Sequence, residues 1–338
     1  YIGGLVGYNH GVTTFSYASG SVNGTSNYVG GLIGYMEYGG SIASCYSTCT
    51  VIGANYVGGL VGYFHVYEGT ITSCYATGTV NGTGSNVGGL AGYIKAGAIA
   101  SCYATGDVSG TKDCIGGLAG YLNGGLSSSY ATGMVNGAGS VGGLVGYQNS
   151  GTTTLCYATG TVIGTGSNVG GLVGYFTGRL TSCYATGTVH GTGNNIGGLI
   201  GTNSSGTVSS CFWDIETSGL TASAGGNGAQ GKTTVEMQTL STFMDAGWDF
   251  AGEAANGTLD HWRMCADGAD YPRLSWEYGS GGDFACPDGV GVEDLEAIAT
   301  RWLMTEGQAG YSYACDANGD GKIDMADFEV LAEGWMGN

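Results

Sequence analysis

The run Asp316-Ala317-Asn318-Gly319-Asp320-Gly321-Lys322-Ile323-Asp324-Met325-Ala326-Asp327 holds the densest chemistry in the chain. Asp316, Asn318, Asp320, Asp324 and Asp327 place side-chain oxygens at positions 1, 3, 5, 9 and 12 of a twelve-residue loop. Gly321 stands at position 6, where the chain must turn sharply. The Lys322 carbonyl is available at 7, and apolar Ile323 follows at 8. Hard oxygen donors at this spacing wrap a calcium ion, and without a cation the acids would repel one another. A helix is expected next, Met325–Met336, with Phe328, Leu331 and Trp335 on one face.

A weaker copy of this unit lies 33 residues earlier. Asp283 matches Asp316, Val290 matches Ile323, Asp294 matches Asp327, and Trp302 matches Trp335. Ala285, Pro287 and Gly291 replace the ligands at positions 3, 5 and 9, and Asp288 is the substitute available to a shifted loop. Cys286 and Cys315 sit beside the two acidic loops, and a disulfide between them would suit a secreted chain. The ligand order is that of an EF-hand, and Asp rather than Glu at position 12 resembles the dockerin type of loop. That resemblance covers about residues 283–338. It implies docking onto a cohesin-like module, from which the depleted first loop departs.

Other chemistry is thin. The four His (His10, His65, His190, His261) are scattered and share no evident repeat position. No carboxylate pair, phosphate loop or nucleophile elbow stands out, so no enzymatic activity is expected. Asn23, Asn81, Asn203 and Asn256 carry the N-x-Ser/Thr pattern, which is common by chance in such a composition.

These loops hang from a long periodic array. Val-Gly-Gly-Leu-Val-Gly-Tyr at residues 57–63 recurs with small changes, its leucines being Leu5, Leu32, Leu60, Leu90, Leu118, Leu144, Leu172 and Leu199. Their steps are 27, 28, 30, 28, 26, 28 and 27 residues, a period that marks a stacked, quasi-one-dimensional fold. A second motif, Ser-Cys-Tyr-Ala-Thr-Gly-x-Val, alternates with it. Its aromatic residues are Tyr17, Tyr46, Tyr75, Tyr103, Tyr130, Tyr157, Tyr184 and Phe212, preceded by Ser16, Cys45, Cys74, Cys102, Ser129, Cys156, Cys183 and Cys211. One period reads as strand (71–77), short strand (79–80), turn (81–86) and strand (87–93). That length is too great for a hairpin and too small for a βαβ unit, and it fits one turn of a β-solenoid. Stacking at about 4.8 Å per turn would give a rod of roughly 40 Å, with a cysteine, a leucine and two tyrosine columns. The cysteines are expected as small buried thiols, and the tyrosines as cross-rung packing or as an exposed face for glycans.

Composition agrees with this division. Of 338 residues, 71 are Gly and 2 are Pro, yet 42% are hydrophobic, which favours packed repeats over a disordered linker. Residues 1–211 carry four acids and three bases, net −1, whereas 212–338 carry the other 22 acids and five bases, net −17. An acidic tail argues against nucleic acid and suits cations. No apolar run approaches the roughly 18 residues of a membrane span. The chain opens mid-motif at Tyr1-Ile2-Gly3-Gly4-Leu5, which suggests a processed or trimmed start.

Gly-Gly-Leu-Val-Gly resembles the GLUG repeat of bacterial surface and secreted proteins, among them some adhesins and immunoglobulin-A peptidases. The likeness covers about residues 1–212, and Ala-Asp-Tyr-Pro-Arg-Leu at 269–274 resembles the closing segment found after such arrays. The zinc motif His-Glu-x-x-His of those peptidases does not occur here. The expected protein is therefore all-β, a solenoid of about eight 28-residue turns (1–212). A capping segment (213–278) and a small α-helical, calcium-binding, dockerin-like unit (283–338) follow. The role implied is an extracellular or cell-surface fibre, stalk or matrix built from copies of itself, or a module that docks on glycan or a cohesin-like partner.

Overall fold

A computed structural model describes residues 1–251, 255–278, 292–305, 308, 315 and 321–336. The chain divides into two compact units, Tyr1–Thr234 and Val235–Asn338.

The first unit is a β-solenoid of eight coils. Ile2–Gly3, Val29–Gly30, Val57–Gly58, Val87–Gly88, Asp113–Gly116, Gly139–Gly142, Val169–Gly170 and Ile196–Gly197 stack as one parallel sheet. Ser21–Asn23, Thr50–Gly53, Val80–Gly82, Val108–Gly110, Val135–Gly137, Val162–Gly164 and Val189–Gly191 form a second parallel sheet, and the tyrosine-bearing strands form the third. Like pairs with like throughout: Val61 with Ile33 and Ala91, Tyr63 with Tyr35 and Tyr93, Cys156 with Cys183. Each coil turns its β-branched and leucine side chains inward. Val57, Leu60, Val61, Phe64, Ile71 and Val80 of the third coil are all fully buried. At about 1.5–3 kcal/mol per large apolar side chain, this repeated burial drives the stack.

The strands begin and end elsewhere than the sequence suggests, for a conformational reason. Residues 71–77 break at Ser73, whose φ of +51° turns the chain, so the strands run Val61–Thr72 and Tyr75–Ala76. Ser44, Ser101, Ser182 and Ser210 turn the same corner with φ of +49° to +52°. The second corner falls just before each Val-Gly pair, at Tyr28, Tyr56, Asn86, Cys114, Ser140, Asn168 and Asn195. Asn tolerates this left-handed region better than most residues, which suits the three Asn there. The Gly-Gly step has a steric cause. A Cβ on Gly59 would lie 2.0 Å from the Gly89 carbonyl oxygen of the next coil and 2.9 Å from the Ala76 Cβ.

The cysteine column is a buried hydrogen-bond ladder. Each thiol donates to the carbonyl two residues before it, Cys74 Sγ to Thr72 O at 3.0 Å and Cys102 Sγ to Ala100 O at 3.1 Å. Each also accepts the backbone N–H of the preceding coil, as Cys45 N to Cys74 Sγ and Cys74 N to Cys102 Sγ, both 3.4 Å. Ser129 does the same with its hydroxyl, accepting from Cys102 N at 3.1 Å and donating to Ser127 O at 2.7 Å. Serine and cysteine interchange in this column because both offer one donor and one acceptor on a short arm. Burial pushes the Cys102, Cys183 and Cys211 thiols well up, which keeps them protonated and able to donate.

Parallel stacking continues beyond Phe212. Cys211–Asp214 pairs with Ala229–Lys232 in the same sense. Between them runs α1 (Ile215–Ser218), capped by the buried Asp214 carboxylate, which accepts from Glu216 N and Thr217 N.

In the second unit, α2 (Thr234–Met237) begins at the boundary and α3 (Leu240–Met244) follows. Phe243, Trp248, Phe250 and Trp262 form an aromatic core with ring centroids 4.5–6.5 Å apart. Trp262–Arg263 pairs antiparallel with Arg273–Leu274. Helices α4 (Val292–Thr300) and α5 (Met325–Met336) complete it, around Ile298, Cys315, Ile323 and Leu331.

Candidate functional site

The tyrosines make two continuous stacks. Tyr8, Tyr35, Tyr63, Tyr93, Tyr121, Tyr147 and Tyr175 lie 4.4–5.3 Å apart, centroid to centroid, with planes within 3–10°. Tyr17, Tyr46, Tyr75, Tyr103, Tyr130, Tyr157 and Tyr184 lie 4.8–5.1 Å apart within 2–8°. Coil spacing imposes this geometry, and offset stacking adds about 0.5–1.5 kcal/mol per pair beyond burial. Tyr28 and Tyr56, at the left-handed corner, meet the first stack edge-on at 5.4–5.5 Å. Burial, joined for Tyr35 by the charge of Glu37, pushes the Tyr35 and Tyr121 phenols up to about 12. At neutral pH both phenols are protonated.

A polar column runs beside the first stack, two residues after each tyrosine: His10, Glu37, His65, Lys95, Asn123, Asn149 and Thr177. His10 and His65 therefore do share a repeat position, contrary to the sequence reading: each lies five residues after its coil's leucine and two after its tyrosine. The site missed from sequence is the group these residues make. Glu37 pairs in register with His65, whose Nδ1 lies 3.5 Å from Glu37 Oε1, while the Tyr8 hydroxyl donates to Glu37 Oε2 at 3.0 Å. His10 stacks on Tyr38, with centroids 5.8 Å apart and planes 5° apart. Further along, Asn123 Nδ2 donates to Lys95 O at 2.9 Å and Asn149 Nδ2 to Asn123 Oδ1 at 3.2 Å, so the column ends in a neutral amide ladder.

Of the nine candidate calcium ligands, Asp316, Asn318, Asp320, Asp283 and Asp288 lie outside the described residues, as does Cys286. Gly321 has φ +82°, the sharp turn that position 6 requires. Lys322 forms a β-bridge with Thr305, and Ile323 bonds both ways, to Met304 O at 2.9 Å and from Leu303 N at 2.8 Å. Asp324 Oδ1 accepts from Ala326 N, and Asp327 Oδ2 accepts from Asp324 N at 2.8 Å, so both carboxylates sit where α5 begins. Asp327 and Asp294, the matched acids of the two halves, are both buried. Among the described residues no three His, Cys, Asp or Glu side chains gather closely enough to hold a metal. None of their helices is long and apolar enough to cross a membrane. Cys315 is buried against Ile298, Ile323 and Leu331.

With the coil geometry in hand, the comparison with known families is direct. The GLUG motif matches residues 25–52, 53–81, 83–109 and 165–189. The array carries GLUG repeats. No curated protein and no solved structure matches the chain. The four matched GLUG repeats are joined by coils of the same register at 110–164, where Val141 pairs with both Ile115 and Val169 although the motif is not matched. The GLUG glycine pair, leucine and tyrosine thus have separate tasks. The glycines permit coil contact, the leucine fills the core, and the tyrosine stacks on the outside.

Proposed function

We propose that this chain is a non-enzymatic, extracellular or cell-surface structural protein, a subunit that assembles head to tail into a fibre, stalk or matrix and is stabilised by calcium. The observation that carries the reading is the self-complementarity of the coils. In the sheet of Val-Gly strands every junction repeats one parallel register, so there the upper edge of any coil matches the lower edge of any other. Such a contact between copies is heterologous and open, and it gives filaments rather than closed rings. The buried acids Asp294 and Asp327 and the loop from Asp316 to Asp327 would hold calcium in a dockerin-like unit. The finer domain division, a solenoid to 212, a cap over 213–278 and a calcium unit over 283–338, belongs to the same proposal.

Electron microscopy of the native material, with calcium and then with chelator, tests this. Filaments that disperse on chelation, and that Asp316→Ala with Asp320→Ala weakens, are the expected result. Separate single rods under both conditions would overturn it. The half-exposed tyrosine stacks favour a second reading, an adhesin or docking module for glycan or a cohesin-like partner. Single rods that bind a glycan array would establish it instead.

A further inference from the structure

The third coil is longer than its neighbours just past His65. The step from Leu60 to Leu90 is 30 residues. Against the fourth coil the register slips: His65 pairs with Ala96, yet Thr70, five residues on, pairs with Ala98, only two on. The surplus, residues 66–69, lies beside the 38–41 turn of the second coil, whose backbone is left-handed at Tyr38 (φ +54°) and Gly39 (φ +67°). Between the two segments opens a cleft of about 450 Å³, lined by Tyr38, Ser41, His65, Tyr67, Glu68 and neighbouring backbone. That volume suits a small organic molecule.

The lining is chemically one-sided. Tyr38 and Tyr67 are 68% and 80% exposed; one face of Tyr38 stacks on His10 and Tyr67 lies tilted to His65 at 5.4 Å, which leaves much of each ring open to a ligand. Glu68 is exposed and makes no ion pair among the described residues. Both oxygens of Glu37 are engaged, one by the Tyr8 hydroxyl and one by His65 Nδ1. The other ring nitrogen of His65, Nε2, is buried and has no hydrogen-bond partner among the described residues. The cleft therefore offers aromatic faces and a free carboxylate, and no Lys or Arg lines it.

We propose that the cleft between Tyr38 and Tyr67 binds a small organic ammonium ion, the chemistry shared by amino sugars and free amines. The cation lies against the tyrosine faces and pairs with Glu68. A neutral sugar could stack on the same rings but would gain neither the ion pair nor the cation–π attraction.

The test is calorimetric titration of the full chain with glucosamine hydrochloride, choline chloride and Nα-acetyl-lysine amide, each against matched sodium chloride. N-acetylglucosamine and glucose serve as neutral counterparts. Saturable binding of at least one ammonium probe, with the neutral sugars weaker by about tenfold, is expected. Preference for glucosamine identifies an amino sugar, and equal binding of the three identifies amines in general. Glu68→Gln should weaken binding about threefold to fivefold and Tyr67→Ala about fivefold, whereas Asn136→Ala on a distant coil leaves it unchanged. All three side chains are exposed, so the variants keep the fold, which circular dichroism checks. N-acetylglucosamine binding as tightly as glucosamine overturns the proposal. So does no saturable binding of any ammonium probe below about 20 mM, or unchanged binding in both Glu68→Gln and Tyr67→Ala.

Discussion

Replacing Cys74 separates the hydrogen-bonding role of the cysteine column from its packing role. The Cys74 thiol accepts the Cys45 N–H and donates to Thr72 O, all within a fully buried column. Cys74→Ala strands the Cys45 amide away from water, which costs about 1–3 kcal/mol. The lost sulfur contacts add about 1 kcal/mol, roughly one methylene equivalent. Cys74→Ser keeps one donor and one acceptor, as Ser129 does naturally two coils on, and should cost no more than about 1 kcal/mol. In a unit of this size each kcal/mol moves the melting temperature by about 2–4 °C. Cys74→Ala should therefore melt about 4–16 °C lower, and Cys74→Ser within about 4 °C of the parent, by scanning calorimetry under reducing conditions. Equal losses in the two variants would refute the ladder, because packing alone would then explain the column.

Two further outcomes follow from other parts of the coil. Gly59→Ala must force the third and fourth coils apart, since its Cβ would meet the Gly89 oxygen at 2.0 Å, and should cost about 3 kcal/mol or more; Gly39→Ala, with open space around it but φ +67°, should cost only about 1 kcal/mol by thermal melting. In alkaline spectrophotometric titration, Tyr35 and Tyr121 should ionise near pH 12 rather than 10. Because the folded state holds these protons more tightly than the unfolded state, their contribution to stability is full below pH 10 and is lost as pH rises from 10 to about 12.

Period and columns were legible because a solenoid writes its geometry as repetition: the leucine, cysteine and tyrosine spacings are the coil. The broken strands were not, since Ser73 and Ser101 look like strand residues and only their left-handed φ makes them corners. The Glu37–His65 pair was obscured for another reason. Its partners are a coil apart in sequence, and the position five residues after each leucine changes residue type from coil to coil (His10, Glu37, His65, Lys95), so no motif marks it. The step of 30 residues was nevertheless the visible trace of the cleft.

The backbone hydrogen bonds of the array run from coil to coil, as in Leu32 N to Leu60 O and Leu60 N to Leu90 O, and so point along the stacking direction. Tension applied along that direction loads the junctions in series instead of sharing the force across many bonds in shear. The weakest terminal coil yields first, and its loss leaves the next one identically placed. Each event frees one repeat, about 28 residues or roughly 90–100 Å of extended chain, in exchange for a few ångströms of folded length. If the chain serves as the proposed stalk, it would release slack in uniform steps under pull, a shock absorber whose stroke is set by the number of coils.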